Sequence, residues 1–400
     1  MYADLYSWVS WHKIILTMVT LVLCGLIVAL ARLAPKLTGV VGHLNAVQAM
    51  HSRPTPRIGG LAIFVGLVTS ILFAPFAISA HYQHLLMGTG VLFAVGLAED
   101  MGLNVSARSR LLAACGASLV VMLLVGAWMP RTDIFWLDPM MSHWVVGVPL
   151  TLLITAGVAN GFNLIDGVNG LASLTGVVAA VAMACIAGLA DYLPMVKLTL
   201  MLAAIVLGFF LWNFPFGHIF LGDAGAYTIG FILSWFAISI LINVPTVSPW
   251  ALLLTLFWPV ADTVLAIWRR AGRKASTMAP DRLHVHQLVM RALEIHVLGR
   301  GRRQFANPLT TVLLAPFIIG PAIAGVLFWN NSLSAFLAVL AFTTIFFASY
   351  VIAFSVRPHL PRFRQKGLSI RKGRASDVGQ IVLVQDPTNA IYPKIGMPGE

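Results

Sequence analysis

Eleven apolar runs, most of them close to 20 residues long, fill the greater part of this 400-residue chain. They lie near 13–33, 59–80, 83–98, 108–129, 143–160, 171–190, 195–213, 224–243, 248–268, 308–329 and 332–355. A helix needs about 20 mostly apolar residues to cross a bilayer. The runs do not alternate with period two, which excludes a strand-built barrel as the main plan. Charged residues make up only 10% of the chain, against roughly 25% in ordinary soluble domains. The fold class expected is therefore all-α, a polytopic integral membrane protein of about 11 (10–11) transmembrane helices. The first run exceeds the usual apolar stretch of a signal peptide and reads as a span.

Basic residues set the orientation. Taken alternately, the loops on one side hold 23 of the 26 Lys and Arg, leaving Lys13, Arg131 and Lys197 for the other. By the positive-inside rule this puts the N-terminus outside and the C-terminal tail in the cytoplasm. The formal net charge of +12 fits basic loops beside spans and anionic headgroups, so the lipid bilayer is the expected partner and nucleic acid is not. One membrane domain is expected over 1–355, with a cytoplasmic loop at 269–307 inside it, followed by a basic cytoplasmic tail over 356–400. The stretch Asp281–Leu293 has the pattern of a short amphipathic helix. Cys24, Cys115 and Cys185 all lie within apolar runs and have no metal-site spacing.

Carboxylates are costly near hydrocarbon, and by default they mark a site. Of fourteen acids, seven fall in or beside the inner loops: Glu99, Asp100, Asp166, Asp223, Asp262, Asp281 and Glu294. The adjacent Glu99 and Asp100 repel each other at a helix end, and serve either as an interfacial cap or as a cation site. Asp166 and Asn169 flank Gly167, which forms either a tight polar turn or a ligand loop. Asp223, in Gly222-Asp223-Ala224-Gly225, opens a helix, either as a cap or beside a phosphate. Asp262 lies about two helical turns inside the Arg269-Arg270 boundary, as a site residue or paired with a neighbouring span. Arg53, Arg57, Arg282, His284 and His286 are suited to meeting an anionic substrate. Hard oxygen donors without thiolates point to Mg²⁺, with Mn²⁺ as the alternative, rather than Zn²⁺. The polar groups gather at one interface rather than at mid-membrane, which favours an enzyme over a transporter of an anionic solute.

At these residues the chain resembles the polyprenyl-phosphate N-acetylhexosamine-1-phosphate transferase family. The resemblance runs from about Asn45 to Met290, through Arg53–Gly60, Glu99-Asp100, Asn160–Leu171, Phe220–Gly225, Asp262-Thr263 and Asp281–Gln287 in order. It implies a multi-pass protein of the bacterial inner membrane with a cytoplasmic-face active site. The implied reaction transfers a sugar 1-phosphate from a UDP-N-acetylhexosamine, foremost UDP-GlcNAc, to undecaprenyl phosphate, releasing UMP and initiating cell-surface polysaccharide synthesis. The alternative within the family is the phospho-N-acetylmuramoyl-pentapeptide transferase of peptidoglycan synthesis. Carried over, Glu99, Asp100, Asp166 and Asp223 are catalytic, and Asp100, Asp166 and Asp223 hold the metal. Asn160, Asn163 and Asn169 bind the nucleotide sugar together with Arg53, Arg282, His284 and His286. Asp262 and Arg57 stand at the margin of this set. A homodimer is compatible with the plan. The chain departs from the family pattern at Glu99, usually Asp, at Gln287, where several members have His, and at Asn169, often Asp.

Overall fold

The computed structural model describes residues 10–34, 55–272, 283–299, 301–355, 383–385 and 391–393. Arg53 and Arg282 lie outside the described residues. The chain divides into Met1–Ala353 and Phe354–Glu400. The first unit is helical among its described residues. Its main helices are α1 (Trp11–Leu33), α2 (Gly59–Ser70), α3 (Ser79–Asp100), α4 (Ala107–Val125), α5 (Trp144–Ile165), α6 (Leu171–Leu189) and α7 (Leu193–Asn213). There follow α8 (Gly222–Asn243), α9 (Pro249–Thr255), α10 (Phe257–Gly272), α11 (Val285–Ala292), α12 (Arg303–Leu327) and α13 (Ser332–Ser355). The second unit contains an antiparallel pair of three-residue strands, β1 (Leu383–Gln385) and β2 (Ile391–Pro393).

Eight of these helices are long and apolar enough to cross a membrane, and two bent pairs bring the number to ten if each pair crosses once. The eleven runs of the sequence exceed ten because 59–80 and 83–98 form one of those pairs, bent by 118°. Pro75 sits in that bend, and at about 1.5 Å per residue α2 is much shorter than the apolar core. Both ends of the pair lie at the start of α8. Gly59 and Gly60 donate to the carbonyls of Phe220 and Leu221, while Asp100 accepts from Asp223 and Ala224. The two ends of the pair therefore meet at the start of α8.

Nearly all of α8 is buried, with Tyr227, Phe231, Trp235 and Phe236 almost wholly enclosed. A helix that is apolar all round belongs at a centre. Its first turn is lined by small residues that allow backbone to approach backbone. A Cβ on Gly60 would fall 2.2 Å from the Gly225 nitrogen, and one on Gly96 would fall 2.6 Å from Ala224 Cα. The start of α8 is thus wedged between α2 and α3, which fixes Asp223. Cys24, Cys115 and Cys185 are free thiols within α1, α4 and α6.

Candidate active site

Asp223 is the second residue of α8 and is 6% exposed. Its carboxylate accepts from Arg110, in the first turn of α4, and lies 3.7 Å from the Arg57 guanidinium. Arg110 is also 3.6 Å from Glu99, whose other oxygen accepts from the Val105 backbone N–H. Two arginines thus meet carboxylates at the ends of four helices.

The acidic pair divides. Glu99 faces Arg110 and the 101–106 turn, whereas Asp100 is 2% exposed and turns inward to α8. Gly222, the first residue of α8, meets Asp100 with φ +74°. A Cβ there would lie 2.0 Å from the Arg57 carbonyl oxygen and 2.5 Å from Asp100 Oδ2, so only glycine fits.

Asp166 follows the last residue of α5. Burial pushes its carboxyl up to about 7; Arg57 opposes the shift, the Asp223 charge adds to it, and the Gly222 N–H opposes it. Asp166 therefore shares a neighbourhood with Asp223, whose charge disfavours ionisation of Asp166.

Asn160 and Asn163, one turn apart on α5, meet through Tyr227. Asn163 donates to the Tyr227 hydroxyl at 3.1 Å, and that hydroxyl donates to Asn160 Oδ1 at 3.5 Å. Asn169 is turned into the protein. Its amide donates to Pro215 O at 2.9 Å, its backbone N–H to Asn307 Oδ1 at 2.7 Å, and its carbonyl accepts from Thr311 at 2.7 Å. Asn213 completes the clamp by accepting from Gly170 N–H at 2.6 Å. The 166–170 loop is held by α7 and α12.

The described part of the histidine loop joins Asp262. His284 Nδ1 lies 2.7 Å from Asp262 Oδ2, and both residues are buried. A carboxylate only accepts, so Nδ1 carries the proton. Val285 N–H also points to Asp262, at 3.3 Å. The expected amphipathic segment forms α11. His286 stacks on His284 with centroids 5.8 Å apart, and neither of its ring nitrogens has a hydrogen-bond partner. Burial drives its pKa down to about 4, Asp262 pulling up and His284 pushing down. A Cβ on Gly167 would fall 2.3 Å from His286 Nε2, so the histidine loop closes directly on the Asp166 turn.

The structure brings together Glu99, Asp100, Asp166, Asp223 and Arg57, and sets Asn160 and Asn163 beside them through Tyr227. Asp262, His284 and His286 form an adjoining cluster, and the Asn169 side chain serves the loop. Sequence reasoning did not single out Arg110, Tyr227, Asn307 or Thr311. In the sequence Arg110 reads as one more basic-loop charge, though its place in the first turn of the helix that follows the acidic pair is a usable signal.

Among the described residues no three His, Cys, Asp or Glu side chains converge closely enough to hold a metal by themselves. Mg²⁺ nevertheless fits the donor set, since it is bound through one or two carboxylates plus substrate phosphates. Asp166 and Asp223 are the residues that would hold such an ion together with the substrate phosphates.

Residues 82–241 match the family model described as glycosyl transferase family 4. A Bacillus subtilis protein named as a probable undecaprenyl-phosphate N-acetylglucosaminyl 1-phosphate transferase is 29% identical over 262 residues, 65% of this chain and 72% of its own length. A decaprenyl-phosphate N-acetylglucosaminephosphotransferase of Mycolicibacterium smegmatis is 28% identical over 278 residues, 62% of this chain and 68% of its own. The undecaprenyl-phosphate alpha-N-acetylglucosaminyl 1-phosphate transferase of Escherichia coli K12 is 27% identical over 273 residues, covering 66% and 72%. With the acidic pair, the 160–171 loop and the Asp223 turn assembled on one face of a multi-pass helical bundle, the chain matches glycosyl transferase family 4 over 82–241 and is similar to polyprenyl-phosphate N-acetylglucosamine-1-phosphate transferases.

Proposed function

We propose that the protein transfers N-acetylglucosamine 1-phosphate from UDP-GlcNAc to undecaprenyl phosphate at the cytoplasmic face of a bacterial inner membrane, releasing UMP. The observation that carries this reading is the meeting of Arg57 and Arg110 with Asp223 and Asp166 at one end of the bundle. The excess of Lys and Arg in alternate loops supports a cytoplasmic location for that end, with the N-terminus outside and the tail inside.

The acceptor phosphate has a second pKa near 6, so at neutral pH it is already a dianion and a competent nucleophile. The barrier lies in bringing it against a diphosphate. An acceptor oxygen forms a bond to the sugar-bearing phosphorus while the bond to the bridging oxygen breaks. UMP departs with that electron pair, and no net proton need move. Arg57 and Arg110 offset the repulsion and hold the diphosphate oxygens. Bound Mg²⁺, held by Asp166 and Asp223, would neutralise charge on the leaving group. Asn163 and Asn160, linked through Tyr227, orient the nucleotide sugar. His284, held by Asp262, stacks on His286 and keeps it against Gly167, which braces the Asp166 turn.

UMP release should be measured with purified protein, undecaprenyl phosphate and Mg²⁺ across UDP-GlcNAc, UDP-GalNAc and UDP-MurNAc-pentapeptide. Release with UDP-GlcNAc that needs both lipid and Mg²⁺ supports the reading. A preference for the pentapeptide donor assigns the peptidoglycan step instead, and no release with folded protein refutes the transfer. A phosphosugar trapped on the protein without lipid would replace direct attack with a covalent route.

A further inference from the structure

We propose that Asp100 is a positioning residue that caps α8 and fixes Asp223, and that it neither deprotonates the acceptor nor ligates metal. The inference rests on the transferase reading above and deepens it. Asp100 Oδ1 accepts from Asp223 N–H and Oδ2 from Ala224 N–H, each at 2.9 Å. These are two of the four amide donors that a helix start leaves without intrahelical partners. No residue of the same segment supplies them, since Leu221, which precedes α8, has helical dihedrals and gives no side-chain cap. The cap comes instead from the last residue of α3, 123 positions earlier. A negative charge at that place also suits the helix dipole.

The rest of the carboxylate is enclosed. Asp100 is 2% exposed, and the Gly222 Cα approaches so closely that a Cβ would fall 2.5 Å from Oδ2. Asp223 differs in facing two arginines. Glu99 differs too, with 28% of its side chain open beside Arg110. Of the adjacent acids, Glu99 faces the reaction and Asp100 faces the scaffold.

The test uses the full-length protein with Asp100→Asn and Asp100→Ala. Asn caps about as well as Asp, and its oxygen retains one of the two amides. Asp100→Asn should stay within about tenfold of wild-type kcat, with Asp100→Ala lower by a further tenfold or more. A base or metal ligand would make Asn as poor as Ala, at a loss of roughly 10²–10⁴, and that result overturns the proposal. A second arm needs no substrate. Hydrogen exchange over 219–228 in detergent should quicken at Asp223 and Ala224 in Asp100→Ala and stay slow in Asp100→Asn. Unchanged exchange in Asp100→Ala also overturns it. A wild-type protein without transfer refutes the transferase reading alone, because the exchange arm still decides the cap.

Discussion

At the end of the bundle away from the site, Asp138 accepts from Thr132 N–H, the Thr132 hydroxyl and Asp133 N–H. Asp133 takes Arg131 and the Ser332 hydroxyl, Arg131 also donates to Val247 O, and Ser332 reaches Ser248. That network ties the 126–143 loop to the starts of α9 and α13, and its acids are fully compensated. His12 Nδ1 is the exception there, buried without a partner in a stack with Trp11 and Phe73. At the site end, buried atoms lacking partners include both nitrogens of His286, Gln287 Oε1, Asn169 Oδ1, Asn307 Nδ2 and Arg110 Nε. Asp166 meanwhile sits beside the charge of Asp223. Native interiors rarely leave buried polar groups unpaired. Similar residues thus serve two ends: away from the site they satisfy one another and fasten loops, whereas at the site the acids crowd one another beside two arginines.

The sharpest way to break this contrast is to neutralise one acid at each end. Asp223→Asn should lower the transfer rate by about 10³-fold with the helical fold intact, as loss of a group that stabilises transition-state charge commonly does. Asp138→Asn should leave the rate near wild type and destabilise the protein by about 1–3 kcal/mol, read as a lower midpoint of thermal unfolding. Equal loss of rate in both would erase the distinction.

Next in size, Arg110→Gln should cost roughly 10²-fold in kcat/KM, the order expected for one lost charge-assisted contact. Arg131→Gln should leave kcat/KM unchanged. Steady-state kinetics on both variants checks this pair.

A smaller effect separates the loops that hold the site. Asn307→Ala strands the Asn169 N–H and should cost about 1–3 kcal/mol of stability. It should also raise KM for the nucleotide sugar through movement of the 166–170 loop, which thermal unfolding and kinetics on the same sample would show.

The smallest is a pH effect. Burial holds His286 at about 4, below its ordinary value, so the unfolded chain binds its proton more readily. Stability therefore rises with pH across this window and is lost as pH falls from about 6.5 toward 4. His286→Gln should flatten that part of the stability profile, and an unchanged slope would remove His286 from the account.

Much of this was legible in the sequence, because ionisable residues are scarce in an apolar chain and each is conspicuous. Asp166, Asp223 and Glu99-Asp100 stand out for that reason, and the structure draws them together. The pairing of Asp262 with His284 is not legible, since 22 residues separate them and the sequence names no partner for Asp262. Asn307 and Thr311 were hidden for a different reason. Polar residues in the first turns of a long apolar helix are ordinary, and only the fold places these two against Asn169, 138 and 142 positions away. The bend that makes one pair of 59–80 and 83–98 escaped because hydropathy reports length and composition, not direction.

The measurement closest to the central claim follows the phosphorus. UDP-GlcNAc labelled at the β-phosphate should be incubated with purified protein, Mg²⁺ and undecaprenyl phosphate, and the lipid and aqueous phases separated. The account predicts label in the lipid phase, matched by unlabelled UMP and abolished in Asp223→Asn. Label remaining in the aqueous phase while sugar enters the lipid, or lipid labelling that survives Asp223→Asn, would contradict it.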